Sequence, residues 1–422
     1  TGGSGYRIDY ALVGYLTQLL YDYRNKYFFS ASYRRDGSSR FAPETRWGNF
    51  WSLGASWRVD RESFMASTSD WLSALTLKMS YGAQGNDNLG TYYASKGLYS
   101  IVSNLGENAL VSDNRFSGSF DFFTRRSKDL LYSRPIAPSL GYGSIDENVG
   151  ALKNTGIEMV LNGTIINQNG WVWKLGMNLT HYKNKVTDLP LKDMPRSGVN
   201  KLQVGRSVYD FYMIEWAGVD PENGDPLWYM DEKDANKNPT GRRVTTNDYS
   251  SADYYYVNKS SLPKVYGGFN TSLSWKGFDL SAIFAYSIGG YIYNRDITMI
   301  LHNGSLEGRD WSTEILKRWT PDNRYTDVPA LSTTSNNWNS ASTRFLQNNS
   351  YMRLKNLTLS YNLPKQWISK LSLSSVQVYV QGDNLFTIHR NQGLDPEQGI
   401  TGITYYRYPA MRTISGGINV SF

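Results

Sequence analysis

The sequence predicts an all-β protein, a transmembrane antiparallel β-barrel that crosses the membrane with strands. Apolar and polar residues alternate with a period of two along many segments. Aromatic residues make up 14% of the chain, with 32 Tyr and 13 Trp. No stretch approaches the roughly 18 consecutive apolar residues that a transmembrane helix needs, and the mean hydropathy is −0.49. Membrane passage must therefore rely on strands, in which alternation hides the hydrophobicity.

The alternation marks each candidate strand. In the following runs, most residues at every second position are apolar and most residues between them are small or polar: 27–33, 51–57, 75–81, 116–122, 171–179, 269–275, 278–286, 357–361, 376–380 and 414–422. A soluble β-sandwich also alternates, but its strands are usually near 5 or 6 residues, whereas a tilted membrane strand needs about 10. Aromatic pairs such as Trp171 and Trp173 near strand ends are typical of interfacial girdles.

The same period assigns each side chain to lipid or to the lumen. We expect five apolar residues to face outward, namely Leu53, Leu77, Leu175, Phe284 and Ile418. We expect five polar residues to face inward, namely Ser52, Lys78, Lys174, Ser281 and Asn419.

Connection lengths predict the orientation of the barrel. Short turns are expected at 23–26, around 162–170 and at 276–277, and long Gly/Asn/Ser-rich excursions at 288–349 and 383–408. In outer-membrane barrels the short turns are periplasmic and the long loops extracellular. Residues 183–263 are then outside as well, with a hairpin around 211–229.

Composition and motif spacing argue against several other functions. The chain has no Cys, which excludes disulfides, thiolate metal sites and Cys nucleophiles. Its three histidines, His181, His302 and His389, have no ligand spacing, and no GxSxG motif or paired carboxylates are present, so we predict neither an enzyme nor a cofactor. The net charge of +7 is dispersed along the chain rather than clustered, which argues against a nucleic-acid partner.

Two loop motifs have simple turn chemistry. In SYRRDGSSRF, Asp36-Gly37 is expected to begin an extracellular turn, and Arg34, Arg35 and Arg40 to face anionic lipopolysaccharide or substrate if they have a binding role. The residues Asp220, Glu222, Asn223 and Asp225 offer oxygen ligands for Ca²⁺, but Pro221 and Pro226 break the EF-hand pattern. A rigid turn is the favoured interpretation there.

Five segments, in their order along the chain, carry a family resemblance. They are YDYRNKYFFSASYRRDGSSRF (21–41), WAGVDPENGDPLWY (216–229), NSYMRLKNLTLSYNLP (349–364), QVYVQGDNLFT (377–387) and YRYPAMRTISGGINVSF (406–422). Together they resemble SusC/RagA-type TonB-dependent outer-membrane transporters over essentially the whole chain.

The resemblance implies a barrel of about 22 strands, with residues 1–422 as its C-terminal part and roughly the last 14 strands. The sequence starts at Thr1 without an initiator Met or a signal sequence. We therefore expect three parts to precede Thr1: the N-terminal plug, the region that contacts TonB, and the first barrel strands. It also implies active import of oligosaccharides or oligopeptides across the outer membrane of Bacteroidota, with a SusD-like surface lipoprotein and a dimer of such pairs. The alternatives are a passive porin or adhesin-like barrel, and an outer-membrane enzyme.

Candidate contact residues lie in the longest excursion. Trp311, Trp319, Tyr325 and Trp338 are the types that stack on sugar rings or pack against a protein lid, and packing within the loop explains them equally well. Phe422 ends the last alternating strand. The resemblance implies that this terminal aromatic residue is the assembly signal.

One irregularity interrupts the strand order. Counted from the short turns, segments 75–81 and 116–122 both ascend, and hairpin-connected strands require a descending strand between them. That strand is either absent or hidden within 92–104. We predict that the sequence lacks a stretch of residues between about Ala109 and Ser112.

Overall fold

A computed structural model describes most of the chain. The described residues are 10–41, 43–86, 98–111, 115–135, 144–148, 150–191, 193–302, 304, 306, 308–332, 337, 339–369, 373–391, 393–404 and 406–422.

The described residues form strands, with a few short helical turns. The strands are β1 (Leu12–Tyr23), β2 (Tyr27–Ser38), β3 (Trp47–Arg58), β4 (Leu72–Asn86), β5 (Leu98–Val111), β6 (Phe116–Lys128), β7 (Leu131–Pro135), β8 (Ser144–Asn148), β9 (Ala151–Gln168), β10 (Trp171–Asp188), β11 (Asp193–Ser197), β12 (Asn200–Gln203), β13 (Asp210–Ile214), β14 (Trp216–Val219), β15 (Pro226–Lys233), β16 (Pro239–Thr246), β17 (Tyr254–Ser260), β18 (Val265–Trp275), β19 (Phe278–Ile288), β20 (Tyr291–Tyr293), β21 (Leu346–Asn348), β22 (Tyr351–Asn362), β23 (Ser375–His389) and β24 (Thr413–Ser421). The helices are α1 (Arg295–Thr298) and α2 (Lys365–Ile368), with 3₁₀ turns at Val59–Arg61, Ser63–Thr68, Thr313–Lys317 and Thr343–Phe345. None of the described helices has the length and apolar character needed to cross a membrane.

Thirteen strands build one sheet in the order β1-β2-β3-β4-β5-β6-β9-β10-β18-β19-β22-β23-β24, and every neighbouring pair is antiparallel. The sequence predicted roughly fourteen. Because thirteen is odd, the two edge strands β1 and β24 run in the same direction. An all-antiparallel barrel that contains this sheet therefore needs an odd number of additional strands to close.

Tight turns at one end of the sheet set the hairpin registers. Asn169-Gly170 joins β9 to β10 and Lys276-Gly277 joins β18 to β19, and all four residues have positive φ, from 46° to 90°. Two consecutive residues of that kind make a type I′ turn, whose twist matches that of the strands it joins. These turns lie where the sequence predicted them.

The strand registers test the predicted faces of the sheet. Followed from strand to strand, they place all five residues predicted to face outward on one face and all five predicted to face inward on the other. The first face is mainly apolar in the middle of the strands. Phe269 and Phe284 stack on it with ring centroids 4.4 Å apart.

The predicted turn at Asp36-Gly37 is wrong. Strand β2 continues to Ser38, and Gly37 pairs with both Val13 of β1 and Trp47 of β3. A Cβ at Gly37 would lie 3.0 Å from the Trp47 ring. The glycine therefore provides room for a large neighbour inside the sheet, and the chain turns only after Ser38.

A descending strand lies between β4 and β6, as the topological argument from the sequence required. Strand β5 overlaps segment 92–104 and pairs with both neighbours. Residues 112–114 lie outside the described part of the chain. The expected loss of residues near Ala109 to Ser112 stays a prediction.

An arginine scan of β19 tests the membrane register. Phe284→Arg puts a cation on the lipid-facing side and should lower the free energy of unfolding by about 2–4 kcal/mol more than Ser281→Arg, which points into the lumen. Phe284→Ala measures the separate loss of stacking on Phe269. Urea titration of the refolded full-length protein in vesicles gives the three values. Similar costs for the two arginines would refute the register.

The terminal residue supplies a second test. Phe422 follows β24 and is 94% exposed, so its deletion removes no packing that the described residues provide. If it is the assembly signal, the deletion should reduce the outer-membrane level of folded protein, measured by heat-modifiable mobility on gels. An undiminished folded band would contradict that role.

Candidate functional site

Three long connections meet at the end of the sheet opposite the tight turns. We call them loop A (189–264, between β10 and β18), loop B (289–350, between β19 and β22) and loop C (390–412, between β23 and β24). They rise from neighbouring strands, so they are adjacent in space. The sequence predicted a single hairpin in loop A. The structure has seven short strands there, β11 to β17, and the predicted hairpin is β14–β15.

Loops A and B share one hydrophobic core. Its buried members from loop A include Phe211, Met213, Ile214 and Trp228, and those from loop B include Tyr293, Leu301, Ile315, Val328 and Phe345. Ile403 of loop C packs against the same core. Phe211 and Trp228 have no exposed surface, and truncation of such a residue to Ala typically costs about 3–5 kcal/mol. The loops therefore fold as one body.

Polar contacts fix the loops to one another. The backbone N–H of Trp216 donates to Thr343 Oγ1 at 2.9 Å, and the backbone N–H of Tyr293 donates to the Gly402 carbonyl at 2.7 Å. The Arg344 guanidinium lies 5.0 Å from the Trp216 ring centroid. Burial lowers the pKa of Arg344 to about 10, a value at which the side chain stays a cation at neutral pH.

Loop C is attached to the barrel wall by a buried ionic cluster. Arg353 of β22 donates from Nη2 to Asp395 Oδ1 and from Nη1 to Glu397 Oε2, both at 2.6 Å, and from Nε to Thr387 Oγ1 at 2.9 Å. Lys355 Nζ lies 2.9 Å from Glu397 Oε2. The side chains of Arg353 and Asp395 are only 4% and 7% exposed. We call these five residues the Arg353 cluster.

A β-bulge turns Arg353 toward the lumen. Leu357, Leu359 and Tyr361 of β22 face lipid. Arg353 and Lys355 lie an even number of positions before them, so an unbroken strand would point both charges toward lipid. The pairing of β19 with β22 has a register shift between Ile283 and Phe284, which leaves Lys355 as an extra residue in β22. Leu354 then pairs with Phe284 on the lipid side, and Arg353 points inward.

Strand β23 accommodates the shift with an extra residue of its own, near Asn384, which has φ of 52°. Strand β23 continues to His389, so loop C begins at 390 rather than at the predicted Asp383. Sequence reasoning missed the Arg353 cluster. The available signal was two charges in the lipid-facing phase of an otherwise regular strand.

Asp395 organises loop C around its carboxylate. Burial opposes its ionisation, but the backbone N–H of Ala410, the Arg353 guanidinium and the backbone N–H of Glu397 donate to it, and together they lower the pKa of Asp395 below its ordinary value. The ionised form is thus the one that the folded loop stabilises.

A pocket of about 380 Å³ lies beneath loop C on the lumenal side of the rim. Tyr182, Tyr266, Tyr291 and Tyr351 line it, with Ser287 and Glu397 among the polar residues. The register places Tyr266, Ser287 and Tyr351 side by side on the inward face of three successive strands. We call this the rim pocket.

Known proteins share both the sheet and the loops. No family model matches the chain. It is 29% identical to TonB-dependent receptor P3 of Formosa agariphila, over 99% of this chain and 46% of the relative. It is 27% identical to TonB-dependent receptor SusC of Bacteroides thetaiotaomicron, over 99% and 44%. The structure of the RagAB peptide transporter matches with a TM-score of 0.87 at 32% identity, over 98% of this chain and 48% of that one.

The chain belongs to the SusC/RagA type of TonB-dependent outer-membrane transporters. It spans about half the length of the relatives it matches. The open thirteen-stranded sheet is accordingly part of a SusC/RagA-type barrel in the outer membrane.

The structure describes three of the four aromatic residues that the sequence singled out, and each has different surroundings. Trp319 packs against Gly224 of loop A, and its Nε1 donates to the Pro221 carbonyl at 3.1 Å, which is packing between loops. The ring of Trp311 packs edge-on against the ring of the buried His302, with ring centroids 4.8 Å apart. Tyr325 is 92% exposed, and Trp338 lies outside the described residues. Contact of any of them with substrate or partner stays a prediction.

The acidic segment of loop A forms a compact turn, as favoured from the sequence. Asp220 Oδ1 accepts from the Glu222 N–H, and Asp225 Oδ2 accepts from Asn223 Nδ2 and Asn247 Nδ2. Its oxygens thus serve hydrogen bonds within the loop. In the described ranges, His, Asp and Glu side chains form no group of three placed to hold a metal ion.

The pKa of Asp395 predicts how loop C responds to acid. Because the folded-state pKa is lowered, the cluster contributes its full stability above the ordinary value of about 3.9 and loses it as pH falls through the folded-state pKa. Hydrogen exchange of residues 390–412 in the full-length protein, corrected for intrinsic rates, should accelerate there. Asp395→Asn should show fast exchange at neutral pH, while β14 and β15 stay protected. Equal protection of loop C at pH 7 and pH 2 would contradict this account.

Proposed function

We propose that this chain forms the C-terminal wall and the outer loops of a TonB-driven importer of oligosaccharides or oligopeptides. The observation that carries the proposal is that loops A, B and C fold into one body over the sheet, in a chain similar to SusC and RagAB along almost its whole length. The substrate would enter between these loops and cross along the polar inner face of the sheet.

The energy for transport would be applied outside this chain. TonB would pull on the N-terminal plug, whose displacement opens a path along the inward-facing residues, such as Ser52, Lys78 and Asn419. The wall itself has little freedom to move, because each interior strand is hydrogen-bonded on both sides. The loops bind and guide the substrate, and the plug controls passage.

The loops also offer a surface for an external partner. Leu316 and Tyr325 of loop B and Tyr408 of loop C are 75%, 92% and 98% exposed. These large side chains are free to contact a partner. We propose that a SusD-like lipoprotein covers them and encloses the substrate, and that such pairs associate as dimers.

Energy dependence separates an importer from a passive porin. Cells with the full-length gene and its lipoprotein should take up their oligosaccharide or oligopeptide substrate, and deletion of tonB should abolish that uptake. Affinity purification of the transporter should recover the lipoprotein. Uptake that is unchanged without TonB would establish the porin alternative.

A further inference from the structure

The rim pocket has the composition of a sugar site, and this inference rests on the proposed function. We propose that the pocket binds an uncharged sugar ring, so that the imported oligomer is a neutral oligosaccharide. Tyr182, Tyr266, Tyr291 and Tyr351 come from four different strands and surround one space of about 380 Å³. Pockets of this size hold small ligands, and tyrosine combines a flat apolar face with a polar edge.

The charges around the pocket argue against an ionic ligand. Among the described residues of the lining, Glu397 is the one charged side chain, and Arg353 and Lys355 already neutralise it. Lys259, outside the lining, lies 4.7 Å from the Tyr291 ring centroid. An anionic or cationic ligand would therefore lose hydration without gaining an available counter-charge in the lining.

The backbone of the pocket argues against an extended peptide. One common way in which extended peptides bind is by adding a strand to an open sheet edge. Strands β10, β18, β19 and β22 each have a neighbour on both sides. Strand β20 pairs with β21 on one side, and the Tyr293 N–H donates to Gly402 of loop C. The lining thus offers ring faces and polar side chains, which suit a pyranose, and no open strand edge.

Calorimetry on the purified full-length transporter with its lipoprotein tests the proposal. The probes are neutral hexasaccharides of glucose (α- and β-linked), mannose, galactose and xylose, an oligogalacturonate, and an uncharged hexapeptide of Gly, Ser and Tyr. We expect a neutral saccharide to bind. Tyr266→Ala and Tyr351→Ala should each weaken binding about three- to tenfold, the value of one stacking contact. Ser287→Trp fills the pocket and should abolish binding, although it keeps the five tyrosines of the lining, Tyr182, Tyr266, Tyr286, Tyr291 and Tyr351.

Tyr379→Ala is the matched control, since Tyr379 faces the lumen from β23, outside the pocket lining. It should leave the affinity unchanged, and heat-modifiable mobility should show that every variant is folded. Failure of every neutral saccharide to bind, or an affinity that the three pocket variants do not change, would overturn the proposal. So would pocket-dependent binding of the oligogalacturonate or the hexapeptide. TonB-dependent uptake would still hold in those cases, so the proposed function is tested separately.

Discussion

The inward turn of Arg353 is the constraint on which the outer half of the structure depends. By its sequence phase this arginine would face lipid, where a cation near the midplane costs about 2–4 kcal/mol. The extra residue at Lys355 removes that cost because it reverses the phase of β22. The same reversal presents the guanidinium to Asp395 and Glu397, so the correction of a strand register becomes the attachment point of loop C. Loss of Arg353 would be costly, because it would leave the buried Asp395 carboxylate without its cation.

The attachment of loop C to β22 also determines how loops A, B and C are arranged. Loop C reaches loop A through Ser261, whose Oγ donates to the Ile400 carbonyl at 2.6 Å, and loop B through Tyr293 and Gly402. Its segment 396–402 also forms one wall of the rim pocket. If the chain acts as the importer proposed above, it needs a preformed entrance for the substrate. A loop body with one shared core, held to the wall by buried ion pairs, meets that requirement.

Local sequence determined the parts of the fold that short-range physics controls. Alternation located ten of the thirteen sheet strands and their faces, but not β1, β5 or β9. Asn169-Gly170 and Lys276-Gly277 marked turns with two consecutive residues of positive φ. The loops were not predictable in the same way. Phe211 and Phe345 are far apart in sequence and meet only in the folded core, and Trp319 is explained by Gly224 of another loop. The bulge was partly predictable. The charges of Arg353 and Lys355 at lipid-facing positions indicate an irregularity in β22, but periodicity alone does not show which residue is the extra one.

The phase reversal in β22 can be measured directly, because the chain contains no Cys to interfere with labelling. Single cysteines introduced at each position from 351 to 361 of the full-length protein would carry nitroxide labels. Their accessibility to oxygen, which partitions into lipid, would be compared with that to a water-soluble nickel chelate. The account predicts oxygen maxima at 361, 359 and 357, and then at 354 and 352. An unbroken period of two with maxima at 355, 353 and 351 would contradict the bulge, the inward position of Arg353 and the attachment of loop C that rests on it.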